Sequence, residues 1–294
     1  MPLRNSSRRT ADTRDNKPNR RFLCLLLVST FIASGLSMGG GSAQAVGPPR
    51  RDYDGPGFDT CSAPDTATMD DWWTSSPYDY IGIYVYGALK GCAQPQLGSG
   101  GPSWVDHNRA TGWGFIMFDI DAQPPCSGFR TTFSYDPGTA FNQGVQSASA
   151  ADAQASRLGW SSTIDIIYYD LEPYDTRNQA CKDATRAFID GYDARLHQLG
   201  DAGGVYGNET SQALSYFAGG SSVPVAVAIP YYDGNPDVFA TDVPSALWGS
   251  HQRIKQYDNT HNESWGSHTL SIDRECAHGQ VMAAVSYNDP CRPG

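Results

Sequence analysis

Basic residues are scarce in most of this 294-residue chain. Residues 1–45 hold 7 of its 21 Lys and Arg but only 2 of its 31 Asp and Glu. The remaining chain therefore carries 14 basic and 29 acidic residues, a net charge of −15. Such a surface repels phosphate backbones and anionic lipid headgroups. We therefore expect no nucleic-acid partner and no docking on an anionic membrane.

The N-terminal apolar stretch is also short. It runs from Phe22 to about Leu36, roughly 15 residues, whereas a membrane span needs about 20. It follows the pair Arg20-Arg21 and precedes Ala43-Gln44-Ala45. A basic segment, an apolar segment and an A-x-A site are typical of a secretory signal. We expect residues 1–45 to be removed during general or twin-arginine export, leaving a secreted or cell-wall-associated protein. An uncleaved anchor is the alternative.

Signatures of several enzyme classes are missing. No glycine-rich phosphate fingerprint follows a candidate strand, and no G-x-S-x-G elbow is present. C-x-x-C pairs are absent, and the histidines show no ligand spacing. These absences argue against a nucleotide-binding sheet, a serine hydrolase and a zinc site, so we expect neither a cofactor nor a metal. The dispersed histidines are His107, His197, His251, His261, His268 and His278.

Eight short apolar or aromatic runs are typical of β-strands. Some are continuous, as in parallel strands buried on both faces. They lie at 57–60, 80–86, 114–120, 164–171, 204–206, 223–229, 253–257 and 269–273.

Helical patterns lie between several of these strands. Asp136-Pro137 combines an N-cap residue with a proline at the first helical position, and predicts a helix that extends to Leu158. A second helix is predicted from about Lys182 to Leu199, because its apolar residues recur three and four apart. Shorter helices are predicted at 69–73 and 212–217.

Repeated strand–helix units over about 250 residues predict an α/β fold, a (β/α)8 TIM-type barrel. The helices after strands six and seven are poorly marked, so we expect irregularity in the later units. A doubly wound open sheet is the alternative. We predict one barrel domain at 56–294, preceded by an exposed leader at 46–55, and a monomer.

Six of the seven cysteines remain after Cys24 is removed. An even number in an exported protein predicts three disulfides, for which fifteen pairings exist. Proximity in the proposed barrel favours Cys61–Cys92, Cys126–Cys181 and Cys276–Cys291.

Acidic residues fall at the predicted strand ends, where barrels of this type build their active sites. Asp59 ends strand one, Asp170 and Glu172 end strand four, and Asp273 ends strand eight. Asp119 and Asp121, after strand three, are weaker candidates with a solvated or structural alternative. A D-x-E triplet alone is common in acidic proteins, so the prediction depends on the coincidence of several strand ends.

The D-x-E spacing has a chemical consequence. Residues two apart on a strand point to the same side, with Cα atoms roughly 6.5 Å apart. Nearby like charges raise one pKa, so one carboxyl keeps its proton while the other stays ionised. Glycoside cleavage needs this division between an acid and a base or anion.

Aromatic residues near the strand ends could stack on sugar faces. Tyr174, just past the acid pair, is the preferred sugar contact, and Tyr84 lies at the end of strand two. The alternative for any single ring is a place in the core.

Seven segments occur in a characteristic order: 57–64, 84–87, 92–95, 170–174, 251–257, 261–263 and 271–273. In these segments the chain resembles a bacterial glycoside-hydrolase-like family, domain-of-unknown-function family 1906. The resemblance covers roughly residues 55–280. That family is similar in turn to the family 25 glycoside hydrolases, secreted muramidases that cut peptidoglycan.

The resemblance implies a (β/α) barrel and a set of site residues. The muramidase pattern falls on Asp59, on Asp170 with Glu172, on Gln256 with Tyr257, and on Asp273. It implies that Glu172 is the general acid and that Asp170 orients or stabilises the reacting sugar. Asp59 and Asp273 would bind or polarise that sugar. The chain departs from the pattern on strand six and at the extra acids Asp119 and Asp121.

Three functions follow from these residues. The first is a secreted glycoside hydrolase acting on cell-wall peptidoglycan or an extracellular polysaccharide. The second is a non-catalytic barrel that binds glycan or the wall. The third is a Ca²⁺ or Mg²⁺ site for phosphodiester hydrolysis, since oxygen ligands suit those ions.

Overall fold

The computed structural model describes residues 51–160, 165–282 and 291. The predicted signal at 1–45 and residues 46–50 of the predicted leader lie outside the described residues. None of the helices in the described ranges is long and apolar enough to span a membrane.

Eight strands close into a barrel in chain order, as predicted. All eight predicted strand positions are confirmed, so the fold is a TIM-type barrel and not an open sheet. The strands are β1 (Arg51–Asp59), β2 (Tyr80–Tyr86), β3 (Gly114–Asp119), β4 (Ile166–Asp170), β5 (Ala202–Tyr206), β6 (Ala226–Pro230), β7 (Arg253–Trp265) and β8 (His268–Val281).

β1 begins earlier than the sequence analysis placed it. Residues 51–55 of the predicted exposed leader are part of this strand. Tyr53 is buried and meets the ring of Tyr80 edge-on, with ring centroids 5.6 Å apart. The aromatic contact inside the barrel explains why the strand extends beyond the apolar run at 57–60.

β8 departs from the regular (β/α)8 arrangement. Strands β1 to β7 pair in parallel, whereas β8 is antiparallel to both β7 and β1. Gly266 and Ser267 form a two-residue turn between β7 and β8, and Gly266 has a φ of 61°. Antiparallel neighbours can be joined by such a hairpin, whereas parallel neighbours need a long crossover. The irregularity predicted for the later units is therefore a reversed last strand.

The helices flank the barrel wall. They are α1 (Thr66–Ser75), α2 (Gly101–Thr111), α3 (Pro137–Arg157), α4 (Gln179–Leu199) and the single turn α5 (Glu209–Gln212). The predicted helices at 69–73, 137–158 and 182–199 are confirmed. The one predicted at 212–217 is instead α5 followed by a 3₁₀ turn at Leu214–Gly219. α2 was not predicted, because Gly100 supplies no side-chain cap at its start.

All three predicted disulfides are confirmed. Cys61–Cys92 joins the segments after β1 and β2, and Cys126–Cys181 joins the segment after β3 to the first turn of α4. Cys276–Cys291 ties β8 to the C-terminal segment. The first two bonds hold segments that follow strands at the carboxyl-end side of the barrel.

Helices α3 and α4 approach each other at two glycines. A Cβ on Gly144 would lie 2.0 Å from the Phe188 carbonyl oxygen, and one on Gly191 would lie 2.1 Å from the Phe141 carbonyl oxygen. Both contacts are with backbone, which cannot rotate away. The close approach of the two helices therefore requires glycine at both positions.

Asp119 is a buried carboxyl in the layer between wall and helices. The Ser147 hydroxyl of α3 donates a 2.8 Å hydrogen bond to Asp119 Oδ2. Burial raises the pKa of Asp119 to about 8, and the bond from Ser147 opposes that rise. Of the two readings in the sequence analysis, solvated or structural, the structure fits the structural one.

We predict that Gly144→Ala lowers the free energy of unfolding by about 1–3 kcal/mol, the usual cost of overpacking. The matched control is Gly138→Ala in the first turn of α3. Its added Cβ meets only Asp136 Oδ1, at 3.5 Å. The control should be neutral or stabilising by up to about 1 kcal/mol. Denaturant unfolding measures both, and equal effects would contradict the close helix contact.

We predict that Asp119→Asn stabilises the protein more at pH 9 than at pH 5. Burial raises the pKa of folded Asp119 to about 8, whereas the unfolded chain releases this proton near the ordinary aspartate pKa of 3.8. The folded state thus binds the extra proton between these values, and wild-type stability falls as pH rises through them. The variant's advantage should grow by about 2 kcal/mol or more. An advantage that is the same at both pH values in denaturant unfolding would refute the burial argument.

Candidate active site

The barrel mouth brings three of the predicted acids together. Asp59 is the last residue of β1 and Asp170 the last of β4, and both are buried. Asp273 is the ladder partner of Asp59. The sequence analysis placed Asp273 at the end of strand eight, which is wrong, because β8 continues to Val281. Asp273 reaches the mouth because β8 runs in the reverse direction.

Gln256 of β7 links two of these acids. Its Nε2 donates to Asp59 Oδ2 at 2.6 Å and to Asp273 Oδ2 at 3.2 Å. Its Oε1 accepts hydrogen bonds from the hydroxyls of Tyr206 and Tyr232, both at 2.9 Å. Because both ends of the amide have partners, the side chain has one orientation, with its NH₂ group toward the carboxylates.

Burial and mutual repulsion shift both carboxyl groups. Burial, and then the charge of Asp273, raise the pKa of Asp59 to about 7, while the bond from Gln256 opposes the rise. Burial also raises the pKa of Asp273, against hydrogen bonds from Thr260. Asp59 can therefore hold or release a proton near neutral pH.

Glu275 lies deeper in the barrel than Asp273, by two residues along β8, and the sequence analysis missed it. It is fully buried and pairs with Gly57 of β1 and Gln256 of β7 in the strand ladders. Burial, followed by the charge of Asp59, raises its pKa well above the usual range. The signal was present in the sequence, because 273–275 repeats the D-x-E spacing of 170–172.

Asp170 and Glu172 form a second acidic pair. Burial, then the charge of Glu172, raise the pKa of Asp170 well above its usual range, and hydrogen bonding to Tyr84 opposes this. Glu172 lies just beyond the end of β4 and is half-buried, and burial raises its pKa. The two carboxyls interact as the spacing predicted, with the outer one accessible.

Two buried glutamines hold the backbone of this pair. Gln123 donates from Nε2 to the Asp170 carbonyl and accepts at Oε1 from the Glu172 amide, both at 2.9 Å. Gln212 donates from Nε2 to the Leu171 carbonyl at 3.1 Å. Neither glutamine was predicted, since nothing in the local sequence marks a side chain that bonds a distant strand end.

Tyr84 lies where the sequence predicted. Burial first, and then the charges of Asp170 and Asp59, raise its pKa well above the usual range. Its hydroxyl is therefore neutral and lies beside the two carboxyls. Together with Tyr206 and Tyr232 it gives the mouth three tyrosines.

Two predicted sugar contacts are not brought to the carboxylates. Tyr174 is buried in the hydrophobic core, and its hydroxyl donates to the Gln212 carbonyl at 2.9 Å. Tyr257 follows Gln256 on β7 and points to the other side of the wall, since side chains alternate along a strand. There burial raises the pKa of Tyr257 to about 12; Arg274 opposes this rise and the charge of Glu263 adds to it.

The mouth can offer one accessible proton donor, several buried acids and tyrosine hydroxyls. Within the described ranges, no three mouth carboxylates place oxygens within 4.8 Å of one another. An acid beside a second carboxyl, with hydroxyls around them, is an arrangement compatible with proton transfer and sugar binding.

Comparison with known proteins gives a family and a fold. No curated protein matches the chain. The Tat-secreted protein Rv2525c of Mycobacterium tuberculosis, solved with L-tartrate, is 16% identical, with a TM-score of 0.51 over 76% of this chain and 95% of that one. The spore cortex lytic enzyme SleM of Clostridium perfringens is 11% identical, with a TM-score of 0.49 over 76% and 67%.

An uncharacterised protein of B. stearothermophilus is 14% identical, with a TM-score of 0.49 over 76% of this chain and 95% of that one. At such low identities, the likeness to Rv2525c shows the barrel fold alone. The model of the Rv2525c-like, glycoside hydrolase-like domain matches residues 70–277, more than half of the chain. This match confirms the resemblance found in the sequence: the chain belongs to the family of Rv2525c-like, glycoside hydrolase-like domains.

Proposed function

We propose that this protein is an exported glycoside hydrolase that cleaves O-glycosidic bonds in peptidoglycan or another extracellular polysaccharide. The observation that carries the proposal is the set of carboxyls with raised pKa in one barrel mouth: Asp59, Asp170, Glu172 and Asp273. Glycoside hydrolysis needs a carboxylic acid that stays protonated near neutral pH beside a second carboxylate.

Glu172 is the general acid in this proposal. It is the accessible member of its pair, and burial raises its pKa, which favours the protonated form that a general acid needs. Its amide is held by Gln123, which fixes where the carboxyl emerges from the wall. The proton passes from Glu172 to the glycosidic oxygen as the bond to the leaving sugar breaks. A water oxygen bonds to the anomeric carbon, and the proton that this water releases restores the acid form of the site.

Asp170 lies behind Glu172 and acts on the reacting sugar. When Glu172 gives up its proton it becomes an anion, and the repulsion between the two carboxyls then favours a proton on Asp170. Asp170 thereby orients the sugar through a hydrogen bond and limits the build-up of negative charge. Tyr84, beside it, supplies a neutral hydroxyl to the same region.

Asp59, Asp273 and Gln256 form the sugar-binding side of the mouth. Carboxylate oxygens accept hydrogen bonds from sugar hydroxyls, and Gln256 holds both acids in place. Tyr232 is 52% exposed, so its ring is available to a sugar face. Tyr174 and Tyr257 support the loops and wall from behind in this account.

Two further features support the proposed compartment and substrate. Three disulfides are typical of proteins that fold in oxidising compartments. This supports export directed by residues 1–45, whose paired arginines fit the twin-arginine route. The resemblance of the acid positions to those of muramidases supports peptidoglycan as substrate.

A non-catalytic glycan-binding barrel is the second candidate, and one observation favours it. Asp170 and Glu275 both have pKa values raised well above the usual range by burial. Raised pKa values favour the neutral forms of these carboxyls. A neutral carboxyl serves better as a hydrogen-bonding partner for sugar hydroxyls than as a nucleophile or base.

We predict that Glu172→Gln lowers kcat for polysaccharide cleavage by about 10²–10⁴-fold, because the amide cannot donate the proton that general acid catalysis supplies. Release of reducing ends from purified peptidoglycan and a polysaccharide panel measures this. Wild-type activity should also fall at alkaline pH as Glu172 loses its proton. The matched control is Asp175→Asn, an exposed acid in the same loop that pairs with Arg177.

Full activity in Glu172→Gln would show that this residue is not the acid. If wild type releases nothing from any substrate but still binds isolated cell wall, the protein is the glycan-binding barrel of the second candidate. Loss of activity in both Glu172→Gln and Asp175→Asn would point to disruption of the loop.

A further inference from the structure

One acid and two histidines meet on the outer face of the barrel, away from the mouth. Asp54 of β1 is the ladder partner of His278 of β8, and His278 is also the partner of Arg253 at the start of β7. His251 lies two residues before Arg253. One ligand atom from each of Asp54, His251 and His278 lies within 4.8 Å of the other two.

This cluster is separate from the proposed active site. Asp54 lies five residues before Asp59 on β1, which is about 16 Å along an extended strand. Side chains alternate across a strand, and Tyr53 points into the barrel, so Asp54 faces outward. On β8, His278 likewise faces outward because Ala277 belongs to the interior.

The contacts within the cluster leave imidazole nitrogen available. His278 Nδ1 contacts Asp54 Oδ1, so its Nε2 is not used by that contact. The rings of His251 and His278 stack with centroids 4.1 Å apart and an interplanar angle of 26°. His251 Nδ1 is buried and has no hydrogen-bond partner among the described residues. Stacked imidazoles with an unused buried nitrogen are poorly explained by the Asp54–His278 pair alone.

The backbone at His251 is a second unusual feature. Its φ is 50°, in the left-handed region, which is uncommon for residues other than glycine, although asparagine, aspartate and histidine are enriched there. Such a conformation costs free energy and persists where the surroundings enforce it, often at ligand sites. Here it accompanies the placement of the His251 ring against His278.

The ligand chemistry selects a class of ion. Two imidazoles and a carboxylate suit Zn²⁺ and similar transition-metal ions better than Ca²⁺ or Mg²⁺, which prefer oxygen alone. Ligand atoms about 2.0–2.2 Å from a tetrahedral Zn²⁺ are closer together than 4.8 Å, so small side-chain rotations would complete the site. Cys276 is in a disulfide and therefore supplies no thiolate.

We propose that Asp54, His251 and His278 bind a divalent transition-metal ion of the Zn²⁺ type. Three protein ligands leave the fourth position to water. A cavity of about 580 Å³ adjoins the cluster, lined by Asp54, His278 and residues of the β6–β7 connection such as Asp237 and Ser245. The ion ties β1, β8 and the entry to β7 together at the seam where the barrel closes.

Isothermal titration with ZnCl₂ tests the proposal on untagged, disulfide-intact full-length protein freed of metal with EDTA. Wild type should bind one Zn²⁺, and its thermal unfolding midpoint should rise with Zn²⁺ concentration. His278→Ala and His251→Asn should each weaken binding by more than about 100-fold, beyond the 10–100-fold cost of losing a partner outside the ligand shell. Asparagine is chosen at 251 because it tolerates the left-handed backbone.

The matched control is His107→Ala. His107 forms a similar ion pair, with Nε2 2.8 Å from Asp70 Oδ1, but is not part of a three-residue cluster. Its removal should leave Zn²⁺ affinity unchanged. Absence of binding by folded wild type, or wild-type affinity in His251→Asn, would overturn the proposal and leave an ordinary Asp54–His278 ion pair. If His278→Ala fails to fold, the His251→Asn result decides, because that position lies outside the strands.

Discussion

The reversed pairing of β8 is the constraint on which both proposed sites depend. Because β8 runs antiparallel to β1 and β7, its early residues lie at the mouth and its late residues at the opposite end. Alternation along the strand then sends Asp273 and Glu275 inward beside Asp59, and His278 outward beside Asp54. A parallel last strand would reverse these positions. One hairpin at Gly266 thus determines what stands next to β1 at both ends of the barrel.

Burying several carboxylates close together in the mouth costs free energy, and hydrogen bonds from neighbouring polar side chains offset part of that cost. Burial alone raises the pKa of each inward acid, and the like charges of neighbouring acids raise them further. Gln256 donates to Asp59 and Asp273 and so favours their charged forms. The hydroxyls of Tyr206 and Tyr232 donate to the oxygen of the same amide. Asp59, with a pKa raised to about 7, can therefore gain or lose a proton near neutral pH, as the proposed acid–base chemistry would need from its surroundings.

The sequence predicted those features that depend on local pattern. Apolar runs located all eight strands, and the carboxylate positions at 59, 170, 172 and 273 were found from strand ends and from the family resemblance. The direction of β8 could not be predicted, because an apolar run reads the same either way. Gln256 and Tyr257 were taken together from one motif, although alternation places them on opposite sides of the wall. Glu275 was overlooked because acids were sought only where strands end.

Features that depend on contacts between distant parts of the chain could not be predicted from the sequence. Gln123 and Gln212 act through carbonyl and amide groups of a distant strand end. His251 and His278 are far apart in the chain and become neighbours only through the β7–β8 register. Histidine spacing in the sequence could not indicate this, because the proposed ligands come from two strands and from the segment that leads into β7.

The most direct test of the account is a crystal structure of Glu172→Gln with a bound peptidoglycan oligosaccharide. The account predicts a glycosidic oxygen within hydrogen-bond distance of the residue 172 amide, with sugar hydroxyls on Asp59 and Asp273. An oligosaccharide bound in the mouth with every glycosidic oxygen out of reach of residue 172, or bound elsewhere on the barrel, would contradict it.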